Sequence, residues 1–480
     1  MPERISVDLC VIGAGSGGLN VAAAGAQLGL STVLVEGGEM GGDCLNSGCV
    51  PSKALIAAAR AAVQHRHSAP FGIEYDPPRI DFARVRAHVK EAIAAIAPHD
   101  SQARYEGLGV RVVRAMARFT GTDRLIAGDL EVTARRFCVA TGAHPLIPAI
   151  AGLERVPYRT NFDIFDLEEL PAHLLVVGGG AVGCELGQAF RRLGAKVTIL
   201  EMKSLLPDDD PELVEVVRRR LRSEGVELRE GTQVIEVSRN GPGLRLTLEG
   251  KPGGEGAGRS MVDGSHLLLA AGRVPASDGL GLEAAGVACN GKAIAIDARC
   301  RTSNRRIYAI GDVTGGPQFT HWASHQAVVV IKSMMFRLPA RTRPSILPRV
   351  TFTEPELAQV GMTETQARAA GHTELILRRW PFAENDRADT DRTTEGFVKL
   401  VATPRGKILG AGIAGAFAGE LIQSWSLALA TGLSLRAFTS MITAYPTLGD
   451  ASKRAASSFY TERMLNERTR RWVRWLARWP

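Results

Sequence analysis

A short apolar run, Asp8-Leu9-Cys10-Val11-Ile12, reads as a buried strand, and the chain breaks straight after it at Gly13-Ala14-Gly15-Ser16-Gly17-Gly18. Leu19 to Leu28 reads as a helix, and Thr32 to Val35 as a second strand closed by Glu36. This is G-x-G-x-x-G between a strand and a helix, with an acid about twenty residues on. Glycines there allow a tight turn and let the backbone approach a diphosphate. The helix N-terminus offers free N–H groups and the positive end of its dipole to that anion. Glu36 is placed to accept hydrogen bonds from a ribose.

The pattern recurs. Gly178, Gly180, Gly183 and Glu201 lie 165 residues beyond Gly13, Gly15, Gly18 and Glu36, and both copies carry Leu-Gly at the helix end (Leu28-Gly29, Leu193-Gly194). Two such units predict two bound dinucleotides, most simply a flavin and a nicotinamide. Glu201 would bond a ribose 2′-hydroxyl and repel a 2′-phosphate. Lys203 is the lone cation near it, so NADH is expected in preference to NADPH. Two further strands end in turns suited to cofactor contact, at Ala140-Thr141-Gly142 and at Gly311-Asp312. Asp312 would hold a ribityl hydroxyl.

Between the two glycine units stands Gly41-Gly42-Asp43-Cys44-Leu45-Asn46-Ser47-Gly48-Cys49-Val50-Pro51-Ser52-Lys53. Four residues separate the cysteines, and Asn and Gly among them let the chain curl until both sulfurs are within disulfide reach. A thiol pair beside a flavin can pass two electrons between the ring and a substrate. Positive charge and helix N-termini depress a cysteine pKa by about one to several units, and Lys53 is the obvious local cation.

With these residues together, the chain resembles the flavoprotein disulfide reductases of the pyridine nucleotide type, which include dihydrolipoamide dehydrogenase, glutathione reductase and mercuric reductase. The resemblance runs from about Val7 to Ala456. It implies an α/β chain of two Rossmann-like dinucleotide-binding domains and a C-terminal α+β dimerisation domain. The implied boundaries are 1–150 for FAD, 151–275 for NAD(P), 276–345 returning to the flavin domain, and 346–480 for the dimer domain, with a basic tail from about 463. FAD would lie on Gly13, Gly15, Gly18, Glu36, Gly42, Thr141, Gly142, Gly311 and Asp312. NAD(P)H would lie on Gly178, Gly180, Gly183, Glu201, Gly272 and Arg273. Cys49 would be the thiolate near the flavin and Cys44 the interchange thiol that meets substrate. Lys53 and Glu185 would form the family's ion pair beside the flavin. Asn385-Asp386-Arg387-Ala388 also resembles the family.

One segment departs from it. Thiol-processing members carry a His-Pro-Thr-Leu-Ser-Glu-like segment supplied across the dimer, and here it reads Tyr445-Pro446-Thr447-Leu448-Gly449-Asp450. Tyrosine replaces the histidine base, and Asp450 replaces the glutamate that orients it. An imidazole with a pKa of about 6.5 accepts a thiol proton at neutral pH, whereas a phenol near about 10 does not do so readily. Mercuric reductases resemble this chain there, with tyrosine in the matching position, and soft metal ions suit paired thiolates without a histidine base. The chain nevertheless lacks an N-terminal Cys-x-x-Cys domain and a vicinal cysteine pair in the tail; its last cysteine is Cys300.

The expected activity is therefore electron transfer from NADH through FAD and the Cys44–Cys49 pair to a soft acceptor: a metal ion, a quinone or an atypical disulfide. Tyr445 of the partner subunit would shape the acceptor site. A dihydrolipoamide dehydrogenase with Tyr and Asp in place of the His/Glu dyad is the alternative. His321, His325, Glu384 and Asp386 are candidate replacement bases, His321 foremost.

Composition narrows the class. Seven cysteines with one close pair exclude a secreted disulfide scaffold. Cys10, Cys138 and Cys184 read as small buried residues, and Cys289 and Cys300 have no evident partner. No His/Cys cluster has zinc spacing, so no resident metal is expected. The chain enters its first strand almost at once, leaving no room for a signal peptide, and no apolar run reaches the ~20 residues of a spanning helix. A cytoplasmic homodimer is expected. The net charge of +8 comes with no nucleic-acid motif. Much of it sits in the tail, at Arg463, Arg468, Arg470, Arg471, Arg474 and Arg478. There Trp472, Trp475, Leu476 and Trp479 make an aromatic stripe at i, i+3, i+4 and i+7. That helix would either pack on the dimer domain or lie on an anionic membrane, as in a membrane-docked flavin redox partner. Arg84 to Ala97 reads as a helix lining the active-site edge, Lys251 to Gly258 as a flexible hairpin tip, and Arg341 to Pro348 as a linker.

Overall fold

The computed structural model describes residues 3–251 and 258–479. The chain divides into two compact units, Met1–Gly178 with Ala189–Leu200 and Thr232–Pro344, and Gly179–Gln188 with Glu201–Gly231 and Ser345–Pro480. The second glycine unit is shared between them.

In the first unit the expected strand–turn–helix–strand forms as β1 (Glu3–Ile12), α1 (Ser16–Gln27) and β2 (Thr32–Glu36). Two short helices of the redox segment follow, α2 (Gly42–Asn46) and the start of α3 (Cys49–Ser68), then α4 (Phe82–Ile96) and α5 (Gln102–Gly107). The strands β3 (Val110–Arg114), β4 (Ala117–Phe119), β5 (Arg124–Ala127) and β6 (Leu130–Val139) complete a sheet of order β3-β2-β1-β6-β5-β4, and strand Ile307–Ala309 also pairs with β6. The pairs β1–β2, β1–β6 and β2–β3 are parallel. Such strands are covered on both faces, which explains why Leu9 to Ile12 is apolar without alternation and fully buried. The helix expected over Arg84 to Ala97 is α4, capped by Asp81, whose carboxylate accepts from the Arg84 N–H at 3.2 Å.

After β7 (Ala143–Pro145) the pattern restarts with β8 (His173–Val177), α6 (Ala181–Arg192) and β9 (Lys196–Glu201). β8 lies parallel between β9 and strand His266–Leu269. Strands 243–250 and 258–264 pair antiparallel with Gly250 opposite Gly258, so the expected hairpin exists. Its tip, residues 252–257, lies outside the described residues.

In the second unit, α7 (Pro211–Ser223) is followed by a five-stranded antiparallel sheet of strands Arg349–Thr351, Glu356–Gly361, Ile408–Gly415, Phe397–Ala402 and Ile376–Pro381. Its core holds Trp425, fully buried, stacked 3.7 Å from Phe438 and donating its indole N–H to Ser452 at 3.1 Å. Lys399 is also buried there. Its ammonium sits 3.0 and 2.7 Å from the two Asp210 oxygens and 2.7 Å from Glu212, the pairing that a buried charge requires.

The basic tail forms a helix, Glu467–Leu476, which Trp479 follows. Trp472, Trp475 and Trp479 are 60%, 53% and 68% exposed. The packing of this stripe on its own dimer domain is therefore not found among the described residues: the period forms the face, and its tryptophans stay more than half exposed. The side chain of Arg463 lies outside the described residues. Among those described, no helix is long and apolar enough to cross a membrane, and no group of three His, Cys, Asp or Glu is placed to hold a metal.

Candidate active site

The two glycine units repeat each other down to single hydrogen bonds. Gly13 has φ +101° and Gly178 φ +117°. A Cβ at either would run into a carbonyl oxygen of the adjoining strand end, Ala140 or Ala270. Gly13 N–H donates to Val35 and Gly178 N–H to Leu200, at 2.8 and 2.9 Å. Gly15 and Gly180 differ from these packing glycines, because a Cβ at either meets nothing within 4 Å. That open space faces the N-terminus of α1 or α6, where a diphosphate belongs. Gly18 is packed against Gly13, and Gly183 is buried in the first turn of α6.

The acids that close the units serve their own loops. Glu36 accepts from Ala14 N–H and Gly38 N–H, both at 2.5 Å, and Glu201 accepts from Gly179 N–H at 2.7 Å and Lys203 N–H at 2.8 Å. The sequence pattern gives no sign of these bonds. The residues present fit a dinucleotide at each loop: an open glycine, a helix N-terminus and a fixed carboxylate.

The redox segment lies against the first loop, because Gly42, at φ +60°, has room for a Cβ only 2.8 Å from Gly15 Cα. Cys44 lies in α2, half-buried, and Cys49 opens α3, exposed; the two sulfurs are in hydrogen-bond contact. No side chain caps α3, so its first N–H groups and the positive end of a 20-residue helix point at Cys49. Cys49 Sγ also shares a 3.3 Å hydrogen bond with Thr320 Oγ1, from the start of helix Thr320–Val330. The hydrogen bond to Cys49 pushes the Cys44 thiol well up, and burial and the charges of Cys49 and Asp100 add to this; a hydrogen bond to Thr320 opposes it. Thr320 and Asp100 were not found from sequence, since neither belongs to a motif near the cysteines.

Around this pair the other expected residues are distributed as follows. Lys53 stands one turn along α3 and donates to Ser52 Oγ at 3.4 Å. Thr141 donates to Ala276 O at 2.7 Å, and Gly142 and Gly311 both take φ +73°. Gly311 N–H donates to Gln326 at 2.6 Å. Gly272 has φ +125°, and Arg273 beside it bridges Asp43 and Asp312. Arg273 pairs with Asp43, donates to Ala143 O at 2.7 Å, and lies 3.4 Å from Asp312. Burial pushes the Asp312 carboxyl up, and Arg273 pulls it back. A role for Arg273 in the nicotinamide set was expected; the contacts described for it are with Asp43, Ala143 and Asp312.

In the second unit Glu185 is buried and accepts from Phe352 N–H at 2.9 Å. Tyr445 is 69% exposed, and its hydroxyl donates to Asp386 Oδ2 at 2.6 Å. That hydrogen bond, followed by the charge of Asp386, pushes the phenol above its ordinary value. The orienting partner expected from sequence was Asp450. Instead Asp450 pairs with Arg454 one helical turn on, at 2.5 Å, and Asp386 takes the phenol. Of the other candidate bases, His321 lies tilted against Phe319 and His325 stacks on Trp322, with ring centroids 5.2 and 5.4 Å apart. Burial holds His325 below its ordinary pKa.

Comparison with known proteins agrees with this arrangement. Residues 7–327 match the model of the pyridine nucleotide-disulphide oxidoreductases, and residues 347–456 match the dimerisation domain of the same family. The chain is 35% identical over 466 residues to a mercuric reductase of Streptomyces lividans, covering 95% of this chain and 96% of that protein. It is 36% identical over 461 residues to a dihydrolipoyl dehydrogenase of Bacillus subtilis (strain 168), covering 94% and 96%. Among solved structures, the Cu(II) complex of the HOCl-induced flavoprotein disulfide reductase RclA from Escherichia coli superposes with a TM-score of 0.82 at 28% identity, covering 94% of this chain and 99% of that one. Family models matching residues 7–327 and 347–456, with relatives similar over nearly the whole length, place the chain in the pyridine nucleotide-disulphide oxidoreductase family, whose members are FAD-dependent enzymes that use NAD(P)H.

Proposed function

We propose that the chain, as a homodimer, passes electrons from NADH to its Cys44–Cys49 pair and on to a thiophilic metal ion such as Cu(II) or Hg(II). Bound FAD supplies the two-electron link between nicotinamide and thiols. The observation that carries the choice of acceptor is Tyr445, whose hydroxyl donates to Asp386 where thiol-processing relatives hold an imidazole. A phenol held neutral by a carboxylate is a poor acceptor for the proton of an incoming dithiol. A soft metal ion needs thiolates and makes no such demand. The helix N-terminus, Thr320 and Lys53 favour a thiolate at Cys49, and Cys44 stands at the substrate side. Tyr445 of the partner subunit would border the acceptor. The names of the similar mercuric reductase and of the Cu(II) complex support the same acceptor class. Glu201, fixed at the end of β9, favours NADH by opposing a 2′-phosphate.

The test is NADH oxidation by the FAD-loaded protein against lipoamide, glutathione disulfide, Hg(II), Cu(II) and a quinone. Metal-dependent turnover well above that with either disulfide is expected. Rapid lipoamide turnover would replace this reading with a dihydrolipoamide dehydrogenase, and quinone reduction alone would move the acceptor from the thiols to the flavin. Absence of a thiolate-to-flavin charge-transfer band in stopped-flow reduction would remove the thiol relay altogether.

The uncovered tail favours a second reading, that the enzyme works at an anionic membrane surface. Helix Glu467–Leu476 carries Trp472, Val473, Trp475 and Leu476 on one side and Arg470, Arg471 and Arg474 on the other, all exposed. The full chain is expected to float with vesicles containing anionic lipid, and a chain ending at Glu462 to remain in solution. Equal, negligible flotation of both would refute it.

A further inference from the structure

The first unit holds a cavity of about 340 Å³ lined by Asp297, Ala298, Arg299, Arg301 and Arg341. None of these residues belongs to a glycine unit or to the redox segment. Backbone bonds fix the walls. Cys300 N–H donates to Asp297 O and Asp297 N–H to Arg301 O, both at 2.9 Å, and Cys300 takes φ +62°. A fully buried, left-handed cysteine is held so by its surroundings, and the arginines on either side of it both line the cavity. Arg341, where the linker was expected to begin, is brought in by its neighbour Thr342. The Thr342 N–H and Oγ1 both donate to Ala298 O, at 2.8 and 3.3 Å.

The charges around this cavity do not balance. The Asp297 carboxylate is taken up by one arginine: Oδ2 accepts from Arg301 Nε and Nη2 at 3.0 and 2.9 Å. Its Oδ1 accepts from the backbone N–H groups of Arg299 and Arg301 at 2.8 and 3.0 Å. Burial raises this carboxyl, but those bonds outweigh it and hold it below its ordinary value, so at neutral pH it stays ionised and cancels Arg301. Among the described residues, the guanidinium groups of Arg299 and Arg341 have no hydrogen-bond or ion-pair partner. Two uncompensated cations on one concave wall focus a positive potential into it. We propose that the cavity binds a free diphosphate, pyrophosphate being the simplest. A guanidinium meets phosphoryl oxygens as a planar, two-pronged donor, and two of them match the two ends of a diphosphate. Ala298 is the one apolar residue of the lining and no aromatic ring is part of it, so a nucleobase or an acyl chain finds no surface to rest on.

Isothermal titration calorimetry tests this on the FAD-loaded protein in excess NAD⁺, which keeps both dinucleotide loops filled. Pyrophosphate, ADP and sulfate are titrated separately at low salt. Pyrophosphate should bind at one equivalent per chain and more tightly than either of the others. Arg299→Gln and Arg341→Gln should each weaken it about 10- to 100-fold, the weight of hydrogen bonds to a charged group. Neither guanidinium bonds the rest of the fold, so melting temperature and FAD content should stay at wild-type values. Arg305→Gln removes an exposed arginine close by in the chain that does not line the cavity, and should leave binding unchanged. Equal weakening in all three variants would reduce the effect to overall charge and overturn the proposal. Wild-type protein that binds no pyrophosphate would overturn it outright. ADP bound as tightly as pyrophosphate would make the ligand a nucleotide, and sulfate bound as tightly would make the cavity a general anion sink; either result overturns the assignment to a free diphosphate.

Discussion

Alanine at Gly15 separates a glycine kept for a ligand from one kept for packing. Gly15 caps α1 at φ −79°, ψ 180°, a conformation alanine adopts without strain. Nothing lies within 4 Å of the added methyl. Alanine is the poorer N-cap by about 0.5–1 kcal/mol. Restricting the unfolded chain returns about 0.4–1 kcal/mol, so apoprotein stability should hold within about 1 kcal/mol. The ligand meets a different situation. The methyl enters the space a diphosphate needs between the loop and the helix N-terminus, and overfilling a packed site costs about 1–3 kcal/mol. That is roughly a 5- to 150-fold rise in the FAD dissociation constant. Gly13→Ala should behave in the opposite way, since φ +101° and the Ala140 carbonyl penalise the fold itself. Thermal melts of the apoproteins by circular dichroism, with FAD titrations by flavin fluorescence, measure the two quantities. Gly180→Ala should keep its FAD and weaken NADH binding by a similar factor. An apo Gly15→Ala that is unfolded, or one that binds FAD as tightly as wild type, would refute the assignment of the open glycine to the ligand.

Three further outcomes follow from other contacts. Asp386→Asn removes the charge beside the Tyr445 hydroxyl, so the phenol should titrate at lower pH in ¹³Cζ-tyrosine spectra; an unmoved titration would show that Asp386 does not control it. Glu212 is held at about 2, below its ordinary 4.5, first by the Arg379 hydrogen bond and then by Lys399. A depressed carboxyl stabilises the fold fully above about pH 4.5 and loses that contribution as pH falls toward 2. Allowing for its exposure, about 1 kcal/mol is at stake. The gap in urea midpoint between wild type and Glu212→Gln should therefore close over that window, and a gap that persists at pH 2 contradicts the argument. Lys399→Met leaves Asp210 buried without its cation and should cost about 3–5 kcal/mol. Adding Asp210→Asn should recover much of that loss, and no recovery would locate the damage in packing.

The parts of this site legible in the sequence are those whose chemistry is local. G-x-G-x-x-G imposes a turn, a close approach and a helix start within six residues, so the pattern at Gly13 and again at Gly178 marked the position of both turns. The Cys44–Cys49 spacing likewise belongs to one continuous segment. Glu36 and Glu201 stand out in the pattern, but their carboxylates turn to nearby backbone N–H groups that only the folded loop creates. The tail shows the same limit: a 3.6-residue period predicts the tryptophan face, and nothing in the period says what covers it.

Proton chemistry was the least legible, and the reason is geometric. Position relative to the familiar motif paired Tyr445 with Asp450, five residues on. The helix that starts at Asp450 instead brings Arg454 to that carboxylate at i+4, and the segment before it presents the phenol to Asp386, 59 residues earlier. Asp386 itself lies in a turn whose Asn385 side chain caps the short helix that follows and also donates to Thr447 O at 3.1 Å. The turn and the tyrosine segment are thus fastened together in one unit. Electron chemistry in this chain is written in contiguous residues, because dinucleotide loops and a disulfide each need short-range geometry. The surroundings of the tyrosine are assembled by packing, so the loss of the histidine is visible in the sequence while the carboxylate that holds the phenol is visible only in three dimensions.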